Sequence, residues 1–343
     1  MQNYLSDFPA LLSDNPTQHL DILWMPVQDG VRILQVYGEH PHLVLPQSIH
    51  GKPVTEIGPY CFSRSAPKLP EQYFHAAFPK KTESRSATLA ALNGDAIEQI
   101  VLPPSVTTLH NAAFYNCRKL HTLWTGSQIS SIGSDEFTNC SRLHQLFFYA
   151  DSADASTLSL LLERLADDLN VTVLAGKNEK TDIRAALFFP EYYEWLDEIS
   201  PAHIFSRSIH GEGFRMRKCF TQSHLDYDKY DACFENALKS ESSSALCQIS
   251  LNRLRWPEGL KEERKSFYEQ TIKNHLSEAL TQAVQEKDRA LLLFLSQHFM
   301  EDKDYAEGVT RCNQADWGEG SALLMETKPK QSFQKKTFTF DQW

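Results

Sequence analysis

The sequence has no long apolar run. No stretch approaches the roughly 18 consecutive apolar residues that a membrane-spanning helix needs. The first residues, MQNYLSDFPALLSDNPTQHL, lack a basic start, a continuous apolar segment and an A-x-A cleavage site, so they do not read as a secretory signal. We therefore expect a cytoplasmic protein, with an extracellular location as the alternative.

Cysteine and positive charge are also scarce. Seven cysteines, an odd number scattered over 343 residues, do not form the pattern of a disulfide framework. The net charge of −10 disfavours nucleic-acid binding, because that binding needs Lys and Arg to displace counterions from phosphates. The length is sufficient for two domains, each with its own hydrophobic core.

Signatures of catalysis are missing as well. The chain contains no G-x-S-x-G, no H-E-x-x-H, no paired Cys-x-x-Cys and no D-x-D calcium loop. His40, His42 and His50 lie close in sequence, but no Cys or carboxylate joins them at the usual zinc spacing. We therefore expect no enzyme, no cofactor and no metal, with an unrecognised enzymatic site as an alternative.

The segment 203–219 contains His210 and Cys219, two residue types that can form a nucleophilic pair. A hairpin centred on Glu212 would separate His210 from Cys219 by roughly 15 Å, at about 3.3 Å per residue, which is too far for such a pair. We interpret the segment as a basic turn at a domain junction.

One pattern of apolar residues recurs with a period of 23. Its members in the first copy are Ile97, Ile100, Leu102, Val106, Leu109, Phe114 and Cys117. In the second copy the same positions are Leu120, Leu123, Thr125, Ile129, Ile132, Phe137 and Cys140, and a third copy opens with Leu143, Leu146 and Phe148. A fixed period in this range with an L-x-x-L-x-L core indicates a leucine-rich repeat solenoid. Each repeat supplies one short parallel strand and buries the apolar face of its neighbour.

The repeats resemble one family in particular. Cys117-x-x-Leu120-x-x-Leu123 is similar to the C-x-x-L-x-x-I opening of the BspA-like repeat, and Ile132-Gly133-x-x-x-Phe137-x-x-Cys140 is similar to its ending. Residues 31–62 resemble the first repeat of that family, so the resemblance covers about 31–148. It implies a curved binding module with a β face, usually on the surface of bacteria or protozoa and usually acting through protein contacts.

We predict an α+β fold in which a short solenoid precedes a mostly helical domain of stacked helical hairpins. The predicted parts are an N-terminal helical cap at 1–20, a solenoid at 21–175 with an insertion at about 63–95, a junction at 176–225, a helical domain at 226–327 and a basic-aromatic tail at 328–343. The spacing of leucines predicts a helix over 155–169 and a last parallel strand over 171–174.

Further elements are predicted on both sides of the junction. Two strands should flank the turn at Asp29-Gly30. Residues 181–201 should begin as a helix, and 203–207 should pair with 214–217 as a hairpin. Helical pairs are expected at 230–238 with 244–254, 276–285 with 288–300 and 305–312 with 318–326, and residues 279–295 weakly resemble an ankyrin helix pair.

The predicted binding site is the concave face of the solenoid. Because side chains alternate along a strand, Val101, Trp124 and Phe147 should align in an apolar column. Beside it should lie a polar column of Gln99, Thr122 and Gln145, with Glu98, His121 and His144 where the strands begin. The insertion at 66–95 or the aromatic tail is the alternative cover for the apolar column.

We expect a non-catalytic protein–protein interaction module or scaffold, with an exported bacterial, adhesin-like protein as the alternative. The partner is expected to be a protein. Tyr192, Tyr193, Trp195 and Phe205 are expected to close the end of the solenoid, because such an aromatic cluster is normally covered.

Overall fold

The computed structural model describes residues 18–65, 67–78, 89–150, 154–175, 182–199 and 204–328. Residues 1–17 of the predicted cap at 1–20 and residues 329–343 of the predicted tail at 328–343 lie outside these residues. Leu20, at the end of the predicted cap, belongs to a strand. The chain divides into two compact units, the first ending at Glu269 and the second beginning at Gln270.

Strands predominate in the first part of the described chain and helices in the last part. The strands are β1 Leu20–Val27, β2 Gly30–Gly38, β3 His42–Val44, β4 Ser48–Ile49, β5 Lys52–Ile57, β6 Phe74–Phe78, β7 Ala90–Ala91, β8 Gln99–Val101, β9 Thr108–Leu109, β10 Thr122–Gly126, β11 Ser131–Ile132, β12 Gln145–Tyr149, β13 Leu169–Ala175, β14 Asp182–Phe189, β15 Tyr193–Ile199, β16 Ile204–His210, β17 Phe220–Thr221 and β18 His224–Leu225. The helices are α1 Ser156–Leu162, α2 Gly213–Met216, α3 Tyr227–Ser240, α4 Ser243–Arg255, α5 Glu262–Asn274, α6 Leu276–Gln285, α7 Arg289–His298, α8 Asp302–Gln314 and α9 Gly318–Thr327.

The repeats stack as a parallel sheet in the order β3, β8, β10, β12 and β13. Leu123 of β10 aligns with Ile100 on one side and with Leu146 on the other, and all three side chains are buried. The residues aligned here are those that the 23-residue period predicts, so the solenoid and the α+β fold class are confirmed.

A second parallel ladder follows the opposite side of the coils. Strand β9 pairs with β5 and with β11, and the rings of Phe62, Phe114 and Phe137 stack at centroid separations of 5.2 and 5.4 Å. Cys117 and Cys140 are buried free thiols, as predicted, and each donates a hydrogen bond of 3.1 Å to a carbonyl of the preceding coil. The cysteine at this repeat position therefore packs in the core and also forms a hydrogen bond to the preceding coil.

The glycine at position 133 has a steric cause. A Cβ atom at this position would lie 2.4 Å from the backbone N of Asn111 in the previous coil. Asn116 and Asn139, one period apart, adopt positive φ angles of 64° and 62°, which Asn tolerates better than most residues. Their amides are joined by a hydrogen bond of 2.7 Å, so the turns repeat as faithfully as the strands.

The N-terminal hairpin is confirmed, since β1 and β2 pair antiparallel with Val27 opposite Gly30. The insertion adds a further strand to this hairpin, because β6 pairs antiparallel with the other edge of β1. The rings of Trp24 and Phe74 lie 5.1 Å apart across that pairing. Part of the insertion is thus an extension of a sheet.

The leucine-rich segment after β12 is a shorter helix than predicted. Helix α1 ends at Leu162, and β13 begins at Leu169 instead of residue 171. Leu158, Leu161 and Leu162 are fully buried, so about two turns suffice to bury the apolar side chains before the chain returns to the sheet.

The predicted helical start at 181–201 is wrong, because β14 continues the sheet as an antiparallel strand beside β13. The predicted pairing of 203–207 with 214–217 is also wrong: β16 pairs with β15, and α2 occupies 213–216. Residues 185–189 are all buried, with α4 packed against β14. A strand buried on both faces is uniformly apolar and lacks the alternation that would distinguish it from a helix.

The end of the solenoid is closed by β14 and by α3. The Tyr230 hydroxyl donates to the Phe188 carbonyl at 2.6 Å, and the Tyr230 ring lies against Phe189. Tyr193 and Trp195 are more than half exposed, so the prediction that they close the solenoid is wrong. The side chain of Phe205 lies outside the described part of the chain.

Buried Arg217 donates hydrogen bonds to several backbone carbonyls near the end of the solenoid. Its guanidinium donates to the carbonyls of Leu165 at 2.7 Å, Asp167 at 2.6 Å and Gly213 at 3.1 Å. Burial lowers the pKa of Arg217 to about 10, but the group stays charged at neutral pH. Five guanidinium donors can satisfy several carbonyls that leave the strands, which a lysine cannot do in the same geometry.

The predicted helical pairs are present, with boundaries a few residues from those expected, and α5 is an additional helix between them. In the first unit, Arg253 of α4 forms a buried ion pair with Asp231 of α3, at 2.7 Å. In the second unit, α6 to α9 bury one another's apolar faces, including Leu280, Leu292 and Leu324. The weak resemblance to an ankyrin helix pair stays a prediction.

Candidate binding surfaces

The apolar column of the concave sheet exists in the predicted register. Trp124 of β10 lies between Val101 and Phe147, and its ring stacks on Phe147 at a centroid separation of 3.8 Å. All three side chains are buried, with Trp124 only 1% exposed. The expectation that this column faces solvent is therefore wrong. The Trp124 side chain is not exposed for contact with a partner.

The side chains that pack on this column come partly from strands beyond the repeats. Leu174 of β13 belongs to the same apolar cluster, and Val44, Tyr149 and Ile183 pack against it while half-buried. Ile183 lies on β14, the strand that the sequence had suggested as a helix. Because β14 was predicted as a helix, the sequence also did not predict that a side chain of this strand packs against the apolar column.

The polar column is only partly accessible. Gln99 and Thr122 are buried, whereas Gln145 is half-buried and donates to the Thr172 hydroxyl at 3.2 Å. One strand further, the amide of Asn170 accepts a hydrogen bond of 3.0 Å from Asn252 of α4. These side chains mainly connect neighbouring strands and one helix to each other.

The side where the parallel strands begin carries a row of histidines. The ring of His121 lies 5.9 Å from that of His144 and 6.4 Å from that of His42. The His42 Nε2 atom lies 3.7 Å from the Glu98 carboxylate. Burial and the neighbouring imidazoles of His144 and His42 lower the pKa of His121, which favours its neutral form. The sequence placed Glu98, His121 and His144 together where the strands begin, and the fold adds His42 to them.

A two-stranded hairpin, β15 with β16, carries the most exposed aromatic side chains near the junction. Tyr193, Trp195 and Leu196 are 57%, 55% and 67% exposed. Within the described strands, β15 and β16 pair only with each other. The alternation of aromatic and acidic residues from Tyr193 to Asp197 was a signal for an exposed strand that the sequence reasoning missed.

The two faces of the hairpin differ. On one face Tyr193 stacks on His210 at 5.0 Å, and the Trp195 indole donates to the Asp197 carboxylate. On the other face Glu194 forms an ion pair with Arg207. We call the first of these, defined by Tyr193, Trp195, Asp197, Ser208 and His210, the aromatic face.

His210 and Cys219, which both lie in the segment predicted as a basic turn, contact different residues. His210 stacks on Tyr193, whereas the Cys219 sulfur lies 3.8 Å from that of Cys233. The hydrogen bond between the two thiols lowers the pKa of Cys233, which is half-buried. The segment therefore contributes a thiol pair and the base of the hairpin.

A small cavity lies where α1, β13 and α3 meet. Its volume is about 140 Å³, and Phe148, Leu158 and Tyr227 contribute to its lining. Its two main titratable residues are engaged locally, Asp154 with the backbone and hydroxyl of Ser156 and His224 with the Gln222 carbonyl. The cavity is smaller than the roughly 300 Å³ at which ligand pockets usually begin.

The parallel ladders, the stacked phenylalanines and the 23-residue register together define a leucine-rich repeat solenoid. Comparison with protein families agrees with this fold: residues 55–157 match the model of a BspA type leucine-rich repeat region, with six copies. Comparison with curated proteins and with solved structures gives no match. None of the helices that the structure describes is long and apolar enough to cross a membrane.

Proposed function

We propose that this protein is a non-catalytic protein-interaction module and that the aromatic face of the β15–β16 hairpin is its main contact surface. The observation that carries the proposal is the exposure of Trp195 and Tyr193 on a folded strand. Aromatic side chains are enriched among the residues that dominate binding energy at protein interfaces.

The partner that fits this surface is an extended segment of another protein. An isolated two-stranded hairpin is marginally stable in water, and a third strand added to its edge would supply backbone hydrogen bonds. Side chains of the added strand would cover Trp195 and Tyr193, and the carboxylate of Asp197 favours a basic residue in that strand.

The concave face is the second candidate surface, as the sequence predicts. His144 is exposed and Gln145 half-buried, which supports a contact limited to the side where the strands begin. The burial of Val101, Trp124 and Phe147 argues against an apolar contact there.

Affinity capture from the source cells tests the proposal. We expect Trp195→Ser to reduce the captured partner at least about tenfold, since interface hot spots contribute roughly 2 kcal/mol or more. Met325→Ser is the matched control, because Met325 is 66% exposed but lies on α9, far along the chain. The melting temperature of both variants should equal that of the wild type.

The outcomes separate the two surfaces. Equal capture by Trp195→Ser and by wild type would refute the hairpin as the contact surface. Loss of capture by His144→Ala, with Trp195→Ser unaffected, would assign the contact to the concave face. Detection of the protein in the medium of intact cells would favour the exported, adhesin-like alternative.

A further inference from the structure

Three side chains from separate parts of the sequence converge where the parallel strands begin. The imidazoles of His42 and His121 and the carboxylate of Glu98 each offer one atom, and these atoms all lie within 4.8 Å of one another. The His42 Nε2 and Glu98 Oε2 atoms lie 3.7 Å apart. Such a set is the only one of three or more His, Cys, Asp or Glu ligands found among the described residues.

The backbone fixes the relative positions of these residues. The Glu98 N–H donates to the Pro41 carbonyl at 2.9 Å, and the His121 N–H donates to the Glu98 carbonyl at 2.8 Å. His42, which follows Pro41 in the chain, is in register with Gln99 of β8. Gln99 is in turn in register with Thr122 of β10. His42 is the first residue of β3, whereas Glu98 and His121 immediately precede β8 and β10. Backbone hydrogen bonds at the side where the parallel strands begin therefore hold the three residues close together.

Hydrogen bonds near the cluster involve the His121 ring and the backbone of the strand that carries His42. The His121 Nδ1 atom lies 2.8 Å from the Thr122 hydroxyl, so a metal ion would take Nε2. Gln18 bonds both the carbonyl of His42 and the N–H of Val44, at 2.5 and 3.1 Å, which fixes strand β3 at the edge of the sheet. Partners of this kind hold metal ligands in place and set which imidazole nitrogen is available.

We propose that His42, Glu98 and His121 bind a divalent transition-metal ion, with Zn²⁺ as the fitting example. Two imidazoles and one carboxylate form a ligand set that Zn²⁺ accepts in proteins, with a water in the fourth position. Metal–ligand distances of about 2.0–2.2 Å require the side chains to move closer by small rotations, which their partial exposure permits. The site goes beyond the proposed protein contact and lies on a different surface.

Binding would join the first strand of the concave sheet to the next two. Because an ion that binds only the folded state stabilises it by mass action, Zn²⁺ should raise the melting temperature of the whole protein. Sequence reasoning excluded a metal at His40, His42 and His50 because a third ligand was missing. Glu98 and His121 supply it only after the chain has folded.

Titration with Co²⁺ and Zn²⁺ tests the proposal on the full chain. We expect one equivalent of Co²⁺ to give the visible absorption of a tetrahedral or five-coordinate site, and Zn²⁺ to displace it. His42→Ala, Glu98→Gln and His121→Gln should each weaken Zn²⁺ binding at least tenfold. His75→Ala is the matched control, because His75 also forms an exposed pair with a carboxylate, that of Asp21.

Two further readouts decide the result even if one variant folds poorly. The metal-free melting temperature reports folding, and Zn²⁺ should raise it in the wild type and in His75→Ala but in none of the three ligand variants. Binding that persists in His42→Ala and Glu98→Gln would overturn the proposal. Thiolate-to-cobalt charge-transfer bands would overturn it too, because they would assign the ion to Cys219 and Cys233.

Discussion

Glu136 gives the most quantitative test of the solenoid interior. Its side chain is 2% exposed, and one carboxylate oxygen accepts a long hydrogen bond of 3.5 Å from the Ala113 N–H. The other oxygen has no hydrogen-bond partner among the described residues. The position one period earlier is occupied by Ala113 (136 − 113 = 23), so the repeat does not require an acid here.

Burial raises the pKa of Glu136 from 4.5 to about 8, and the Ala113 N–H only partly opposes this effect. The folded protein therefore binds a proton that the unfolded chain releases between these two pH values. Stability contributed by the neutral acid is complete below pH 4.5 and is lost as the pH rises toward 8. Because a tenfold change in proton affinity corresponds to about 1.4 kcal/mol, the loss between pH 5 and 8 is on the order of 3 kcal/mol.

Urea unfolding of the wild type and of Glu136→Gln at pH 5, 6, 7 and 8 measures this loss. The glutamine variant should lose about 3 kcal/mol less than the wild type over that range, whatever its stability at pH 5. Glu39→Gln is the control for general charge effects, since Glu39 is exposed. Parallel stability curves for wild type and Glu136→Gln would refute the reasoning.

Two other predictions concern the core and the thiols. Leu123→Ala should lower the free energy of unfolding by about 2–5 kcal/mol, because Leu123 is fully buried between two neighbouring coils; an unchanged urea midpoint would contradict its place in the core. Iodoacetamide should label Cys233 before Cys117 and Cys140, because Cys233 is half-buried with a lowered pKa while the other two are buried. Mass spectrometry at short reaction times measures the order, and earlier labelling of Cys117 would contradict it.

The repeat could be predicted from the sequence because its constraints are local and periodic. A residue such as Leu123 occupies the same environment as Ile100 and Leu146, so the pattern recurs wherever a coil is stacked on another. Strand β14 could not be predicted in this way. It is buried on both faces, and its apolar run from Ala185 to Phe189 is compatible with a strand or a helix.

The candidate surfaces show a similar limit. Alternation along β10 correctly assigned Trp124 and Leu123 to opposite sides of the sheet. It could not predict the burial of Trp124, because burial depends on side chains from other elements, including Ile183. Convergence of His42 with His121 likewise depends on the pairing of strands that are 79 residues apart (121 − 42) in the chain.

Site-specific photo-crosslinking tests the proposed contact surface most directly. A photoreactive amino acid placed at Ser206, which lies opposite Asp197 on the aromatic face and leaves Trp195 intact, should join the protein to one partner in source-cell extract. The same group at His144 should not. Both positions are exposed, so the comparison isolates the surface used. Crosslinks from position 144 with none from position 206 would contradict the hairpin as the main contact surface.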